Sequence, residues 1–355
     1  MNNHHYSVSR VKTPGRRIIP IFIPHLGCTH ECVFCNQNRI SGETVPAAPE
    51  DVRRIFSDAV KDTNNEEIKS HPIEIAFYGG SFTALPVKQQ DDLLSEAHKL
   101  LAQYPYGAVR LSTRPDCIDL QMVLRLKDYG VKTIEIGAQS MCDEVLKLSN
   151  RGHSSLDVIN ASQIIKSAGI FLILQMMTGL PGDTFEKSIS TARQIAALEP
   201  DGVRIYPAVI VSETNLHEMY RNGDYAEHTV KDAVKLCAEL VPIFEDARIP
   251  IIRMGLNPTD ELSGGDVIAG AYHPSFGELV YSRIMYNRAA ELLIDVPVGS
   301  DIEIRVPKGM TSKMTGQRRC NIEALKAKYS IRSVKITEKD DLQGLQGIEC
   351  VVKTT

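Results

Sequence analysis

The run Ile21-Phe-Ile-Pro-His-Leu-Gly-Cys28-Thr-His-Glu-Cys32-Val-Phe-Cys35-Asn-Gln37 decides how the chain is read. It begins as an apolar, β-branched strand and breaks into a loop that carries three cysteines within eight residues. Three thiolates so spaced can converge on one site, and the number three is informative. A structural zinc site closes its sphere with four protein ligands; here His25 or His30 would have to supply the fourth. Three cysteines on an iron–sulfur cubane instead leave one iron open to a further ligand. A thioredoxin-like reading of Cys32-Val-Phe-Cys35 leaves Cys28 without a role.

Outward from this loop, short apolar runs alternate with longer amphipathic stretches. Strands are expected at Arg17–Ile23, Ile73–Tyr78, Val109–Thr113, Thr133–Ala138, Phe171–Met177 and Gly202–Tyr206. Helical spacing marks Pro49–Asp62, Pro86–Leu101, Ile118–Tyr129, Ser155–Ala168 and Thr184–Leu198. Six β-then-α units imply an α/β fold of parallel strands joined by right-handed crossovers. Periodicity leaves an open doubly wound sheet and a barrel both available, and each puts functional residues at the carboxyl ends of its strands. After Pro207 the rhythm stops. Helices at Thr229–Phe244 and Gly277–Leu293 flank a strand-like Ile249–Met254 and a glycine-rich loop at Gly264–Gly270. The expected division is a basic extension over 1–16, a barrel over 17–255, a helical and loop extension over 256–296, and a small α/β appendage over 297–355.

The 355 residues are ample for a large core, and the formal net charge of −4 carries no general bias toward polyanions or membranes. Local excesses exist. Arg10, Lys12, Arg16 and Arg17 lie in a stretch with no acid, and from Asp301 onward 11 Lys/Arg face 7 Asp/Glu. No run approaches the ~20 apolar residues of a membrane span, and the polar N-terminus has no signal-peptide segment, so a cytoplasmic protein without membrane association is expected. The remaining cysteines, Cys117, Cys142, Cys237, Cys320 and Cys350, are scattered and read as small buried hydrophobes.

Cys-x3-Cys-x-aromatic-Cys directly after a first strand, with Phe34 as the aromatic, resembles the signature of the radical S-adenosylmethionine (SAM) superfamily. The resemblance implies a [4Fe–4S] cluster on Cys28, Cys32 and Cys35, SAM chelated to the open iron, and its reductive cleavage to a 5′-deoxyadenosyl radical. It also implies a low-potential electron donor of ferredoxin or flavodoxin type. The second strand ends Tyr78-Gly79-Gly80-Ser81, which is similar to the family's Gly-Gly-x motif for the SAM amine. Later strand ends resemble the branch that holds the Elongator catalytic subunit and oxygen-independent coproporphyrinogen oxidase. That likeness implies a partial (β/α)6 TIM-like barrel, with Gln139, Arg151 and Gln175 near the SAM ribose, carboxylate and adenine. Ser112 stands where relatives often carry Glu, so Thr113 is expected to take over the ribose contact.

The Elongator-like resemblance implies tRNA as substrate, although the cysteine spacing is the short one and the chain has no length for an acetyltransferase domain. A small molecule or a protein is the alternative substrate, and a non-catalytic iron–sulfur or zinc protein the third reading. Tyr272 and His273, in a Gly/aromatic loop, are candidate substrate contacts. The basic, loop-like stretch from Lys308 to Asn321 offers Lys313, Arg318 and Arg319 to a phosphate backbone.

Overall fold

A computed structural model describes residues 17–23, 31–36, 47–61, 72–104, 106–256, 266–345 and 347–353. Cys28, the two nearby histidines and the basic extension lie outside the described residues.

The strands β1 (Arg17–Ile23), β2 (Ile73–Gly79), β3 (Ala108–Thr113), β4 (Val131–Gln139), β5 (Phe171–Thr178), β6 (Gly202–Pro207) and β8 (Ile251–Met254) form one seven-stranded sheet in the order β1-β2-β3-β4-β5-β6-β8. The pairs β1–β2, β2–β3, β3–β4 and β6–β8 are parallel. Sequence order equals sheet order throughout, with no reversal. A doubly wound sheet reverses at a switch point, so the open-sheet alternative falls and the partial barrel stands. The sheet also exceeds the expectation by one strand, because the strand-like Ile251–Met254 joins it beside β6.

Between the strands lie α1 (Pro49–Val60), α2 (Val87–Leu101), α3 (Leu120–Asp128), α4 (Asp143–Leu148), α5 (Ser155–Ser167) and α6 (Phe185–Ala197). Their starts are legible. Ser154 and Asp157 make a reciprocal capping box at α5, and the Thr184 hydroxyl accepts from Lys187 N–H at α6. Right-handed crossovers wound in one direction put every helix on one face of the sheet. On that face Ile75, Phe77, Val109, Leu111, Ile134 and Ile136 are fully buried. The register carries the alternate residues Glu74, Arg110, Ser112, Thr133 and Glu135 to the other face.

The chain divides into two compact units. The first comprises the described residues of 1–31, 36–138 and 150–175. The second comprises 32–35, 139–149 and 176 onward. The second unit also holds a two-stranded sheet that pairs β7 (Val209–Val211) antiparallel with β9 (Val267–Gly270). The stretch expected as a glycine-rich loop is thus half strand, because its β-branched residues find a ladder on a three-residue partner too short to show a period. Helices α7 (Asn215–Asn222), α8 (Val230–Asp246) and α9 (Phe276–Leu292) follow β7, α8 and α9 close to their expected limits. Finally β10 (Asp301–Pro307) lies between parallel β11 (Ser333–Lys339) and antiparallel β12 (Glu349–Val352). The basic stretch between β10 and β11 is helical, not a loop: α10 (Thr311–Thr315), a 3-10 turn at Gln317–Arg319 and α11 (Cys320–Tyr329). Asn321 anchors it, with Nδ2 donating to the Ser282 and Met314 carbonyls at 3.0 and 3.1 Å. Of the scattered cysteines only Cys237 is buried; Cys117, Cys142 and Cys350 are half-buried and Cys320 is exposed.

Candidate active site

Cys32 and Cys35 stand on a tight turn closed by Cys35 N–H to the Cys32 carbonyl at 3.0 Å. The turn is locked along both edges. Val33 N–H donates to the Ser149 carbonyl at 3.2 Å, and the Val33 carbonyl accepts from Leu216 N–H at 2.7 Å. Val33 also enters a small core with Ile210, Leu216 and Tyr225, against which Phe34 packs. The apolar residues between the cysteines therefore serve as anchors, and the sulfur-bearing residues are left at the turn's ends. Among the described residues no group of three His, Cys, Asp or Glu side chains is assembled to hold a metal; the third thiol of the motif belongs to Cys28.

In the same unit Gln139 closes β4 with φ +63°, a left-handed conformation costly for a non-glycine residue. Its side chain is buried, and its Oε1 finds no hydrogen-bond partner among the described residues. Ser149 Oγ, on the segment that holds the cysteine turn, is likewise buried and unmatched. Buried polar atoms are nearly always satisfied, and among the described residues these two oxygens are not.

The first unit holds the other expected residues. Gly79 ends β2 at φ +99°, and a Cβ there would lie 2.6 Å from the Ile23 carbonyl oxygen. Gly80 N–H donates to that same oxygen at 3.0 Å. The glycine pair thus lets the end of β2 close onto the end of β1 at the strand that leads into the cysteine loop. Ser81 follows, buried. Arg151 Nη2 donates to the Gly137 carbonyl at 2.7 Å, and the Arg151 carbonyl accepts from Arg114 Nη2 at 2.5 Å. Arg114 is itself forked onto Asp116. His153 Nε2 lies 3.2 Å from the Ala138 carbonyl. Burial, reinforced by the charge of Arg151, pushes the His153 pKa down to about 4, so its imidazole is neutral at pH 7 and donates through Nε2.

Register pairs Thr113 with Ile136 on the helix-covered face, and its hydroxyl meets Thr83 Oγ1 at 2.6 Å. Ser112, paired with Glu135, is the residue of this strand end that reaches the opposite face.

A group that sequence reasoning missed surrounds Glu135. Its carboxylate accepts from Tyr78 Oη, Arg110 Nη1 and Gln175 Nε2, each at 2.9 Å. Arg110 bonds Glu74 at 2.8 Å on its other side, and Thr133 Oγ1 also reaches Glu74. Burial works against the Arg110 charge, yet the Glu74 carboxylate and the Glu135 hydrogen bond outweigh it and its pKa ends raised. Gln175 is therefore oriented by Glu135, with its amide oxygen left to face elsewhere. The signal available in sequence was three charged residues inside otherwise apolar strands.

The remaining candidates occupy other parts of the second unit. Tyr272 packs on the small cluster of Val209 and Val211. His273 Nδ1 accepts from Ser275 N–H at the start of α9. Lys313 lies 3.5 Å from Glu278 and over the Tyr281 ring. Arg318 and Arg319 are exposed, at φ +50° and +64°, immediately before α11.

A parallel sheet wound in one direction and a cysteine turn held by backbone bonds after its first strand are features that a barrel of the radical SAM type combines. The chain belongs to the radical SAM superfamily, whose model matches residues 22–195, while the model of the radical SAM C-terminal domain matches 200–286. It falls in the Elongator-like branch of that superfamily. The tRNA uridine(34) acetyltransferase of Methanocaldococcus infernus is 28% identical over 235 residues, which cover 59% of this chain and 43% of the relative. Elongator complex protein 3 of Bos taurus is 26% identical over 232 residues, covering 60% and 42%. The chain thus spans less than half the length of these relatives. The structure of the archaeal Methanocaldococcus infernus Elp3 with an N-terminal deletion superposes with a TM-score of 0.59 at 22% identity, covering 77% of this chain and 64% of that one, and shares the fold. Members of the superfamily bind a [4Fe–4S] cluster and SAM, and the thiol donors and unmatched acceptors present here suit that pair.

Proposed function

We propose that the chain is a radical SAM enzyme that modifies tRNA. Cys28, Cys32 and Cys35 are the cluster ligands in this reading. Reductive cleavage of SAM on that cluster supplies the 5′-deoxyadenosyl radical. Phe34, Gly79, Gly80, Ser81, Thr113, Gln139, Arg151 and Gln175 form the SAM site in this reading. The Arg151 guanidinium is suited to the SAM carboxylate by its fork geometry, and the Gln139 acceptor to a hydroxyl or amine. The basic extension over 1–16 and Lys313, Arg318 and Arg319 contribute phosphate contacts, with Tyr272 and His273 closer to the substrate. A ferredoxin- or flavodoxin-like protein delivers the electron, and the cytoplasm is the compartment. Among the described residues no helix is long and apolar enough to cross a membrane.

One observation carries the reading: Cys32 and Cys35 flank a turn fixed by backbone bonds on both edges, which presents two of the motif's cysteines at its ends. The test is anaerobic purification and reconstitution with iron and sulfide, followed by cluster content, the spectral change on adding SAM, and 5′-deoxyadenosine formed with dithionite. C32A and C35A are expected to lose the cluster and all 5′-deoxyadenosine formation. Full cluster content in either variant, or wild-type protein that never cleaves SAM under reduction, would sink the proposal. Binding of tRNA that weakens steeply with salt supports the RNA substrate; salt-independent or absent binding transfers the reading to a small molecule or protein.

A further inference from the structure

A cleft of about 410 Å³ opens between α9 and α11, inside the second unit. Arg283, Tyr286 and Asn287 line it from α9, three and four residues apart on one helix face, and Ile294 extends the wall just past the helix end. Lys328 and Tyr329 meet them from the last turn of α11. Asn321, at the head of α11, ties the two helices together, with Nδ2 donating to both the carbonyl and Oγ of Ser282 at 3.0 Å.

Each of the two rings carries a cation. The Arg283 guanidinium carbon lies 5.2 Å from the Tyr286 ring centroid, and Lys328 Nζ lies 5.0 Å from that of Tyr329. Among the described residues neither cation enters an ion pair. The nearest acids along the two helices are already taken: Glu291 by Arg288 at 2.7 Å, and Glu323 by Lys326 at 3.8 Å. Arg283 Nε is buried with no hydrogen-bond partner among the described residues, and a desolvated donor left unmatched is costly. The half-buried Asn287 amide likewise bonds no described residue.

Aromatic faces interleaved with bases, beside an amide that both donates and accepts, suit an unpaired nucleotide, which brings a π-face, a phosphate and a base edge. An acidic peptide would use the cations and leave the rings, whereas an apolar segment would use the rings and bury the cations. Helix α11 also begins directly after Arg318 and Arg319, so the cleft extends their basic stretch to the helix's other end. We propose that the cleft between α9 and α11 holds an unpaired nucleotide of single-stranded RNA, its base on Tyr286 and Tyr329 and its phosphates at Arg283 and Lys328. The proposed function names which RNA is bound; the cleft itself rests on the side chains that line it.

The probe is a fluorescein-labelled oligouridylate of about ten nucleotides, a length typical of single-strand sites, measured by anisotropy on the full chain across a range of salt. Inorganic polyphosphate of matching charge and an RNA duplex of the same length serve as competitors. Y286L and Y329L are each expected to weaken the oligouridylate about tenfold with the salt slope unchanged. R283M and K328M should each flatten the logarithmic slope by about 0.7. Y286F and Y329F keep the rings and should bind as wild type does, which separates loss of stacking from a collapsed cleft. Polyphosphate has no bases, so it should compete weakly and equally in wild type and the tyrosine variants. With 4-thiouridine in the oligonucleotide, photocrosslinks should map to Tyr286 or Tyr329. Oligouridylate binding that is absent, or unchanged in Y286L and Y329L, would overturn the proposal, as would crosslinks outside the cleft or tighter binding of the duplex. A chain that binds oligouridylate through these tyrosines but never yields 5′-deoxyadenosine refutes the proposed function and leaves the cleft standing. SAM cleavage together with tyrosine-independent RNA binding does the reverse.

Discussion

The sheet carries arginine in two contrasting settings. Arg110 on β3 lies between the carboxylates of Glu74 and Glu135, at 2.8 and 2.9 Å, with its charge held by the protein itself. Arg204 and Arg253, on β6 and β8, face each other at one register position. In the first case the charge closes a network; in the second, Arg204 Nη1 reaches the Tyr206 hydroxyl and Arg253 Nε the Gly255 carbonyl. Buried charge that is internally compensated fixes architecture. The oxygens of Gln139 and Ser149 differ again, being buried without a hydrogen bond among the described residues.

The largest effect should follow from breaking the closed network. R110M leaves two carboxylates facing each other in a buried site, and loss of one partner from a buried ion pair typically costs about 3–5 kcal/mol. Urea denaturation of the wild type and the variant measures it. A loss below about 1 kcal/mol would mean that water reaches Glu74 and Glu135, and the contrast between the two arginine settings would fail.

His153 is an intermediate case, with Nε2 on the Ala138 carbonyl and Nδ1 buried without a partner among the described residues. Its folded pKa of about 4 lies below the ordinary 6.5. Between those values the unfolded chain binds a proton that the folded chain refuses. Stability therefore falls as pH drops from about 6.5 to about 4, by roughly 3 kcal/mol in all, and this contribution is flat outside the window. Urea midpoints collected across that range should show the slope in wild type and a shallower one in H153Q. Equal slopes would assign the acid sensitivity to other groups.

A smaller effect is expected at Gly79. G79A places a methyl 2.6 Å from the Ile23 carbonyl in a left-handed conformation. A cost of about 1–3 kcal/mol follows from backbone strain of this kind. Wild-type stability in G79A would show that the end of β2 can separate from β1 without consequence, and would remove the reason given for the glycine pair.

The legibility of these features followed their distance along the chain. The cysteine turn could be read because its cysteines fall within eight residues and its strand precedes it directly. The winding direction could not be read, since alternating apolar runs look alike in a barrel and in an open sheet; only the strand order separates them. The Glu135 network joins residues 25, 40 and 57 positions away, so it exists only once the register of β2 to β5 is set. The face that Thr113 serves was hidden for the same reason, because the pleat decides which face a strand-end residue joins. The stretch from Lys308 to Asn321 looked like a loop because it contains Gly309 and Gly316, yet one helical turn fits between them and Asn321 gathers its carbonyls.

The bulge at Ile252, past which Arg204 pairs with Arg253, was equally hidden, since a bulge is a property of two strands together. It also sets the last prediction and the smallest in stability. R253M removes a charge that faces another like it, so the global stability of the protein should change by less than about 1 kcal/mol, or rise. Set beside R110M, the same substitution on the same sheet would differ by several kcal/mol, because among the described residues Arg110 lies between two carboxylates and Arg253 bonds the Gly255 carbonyl. A strongly destabilised R253M would place a structural partner for the Arg253 charge within the protein. The β6–β8 pair would then join Arg110 as scaffold, and the contrast between the two arginine settings would close.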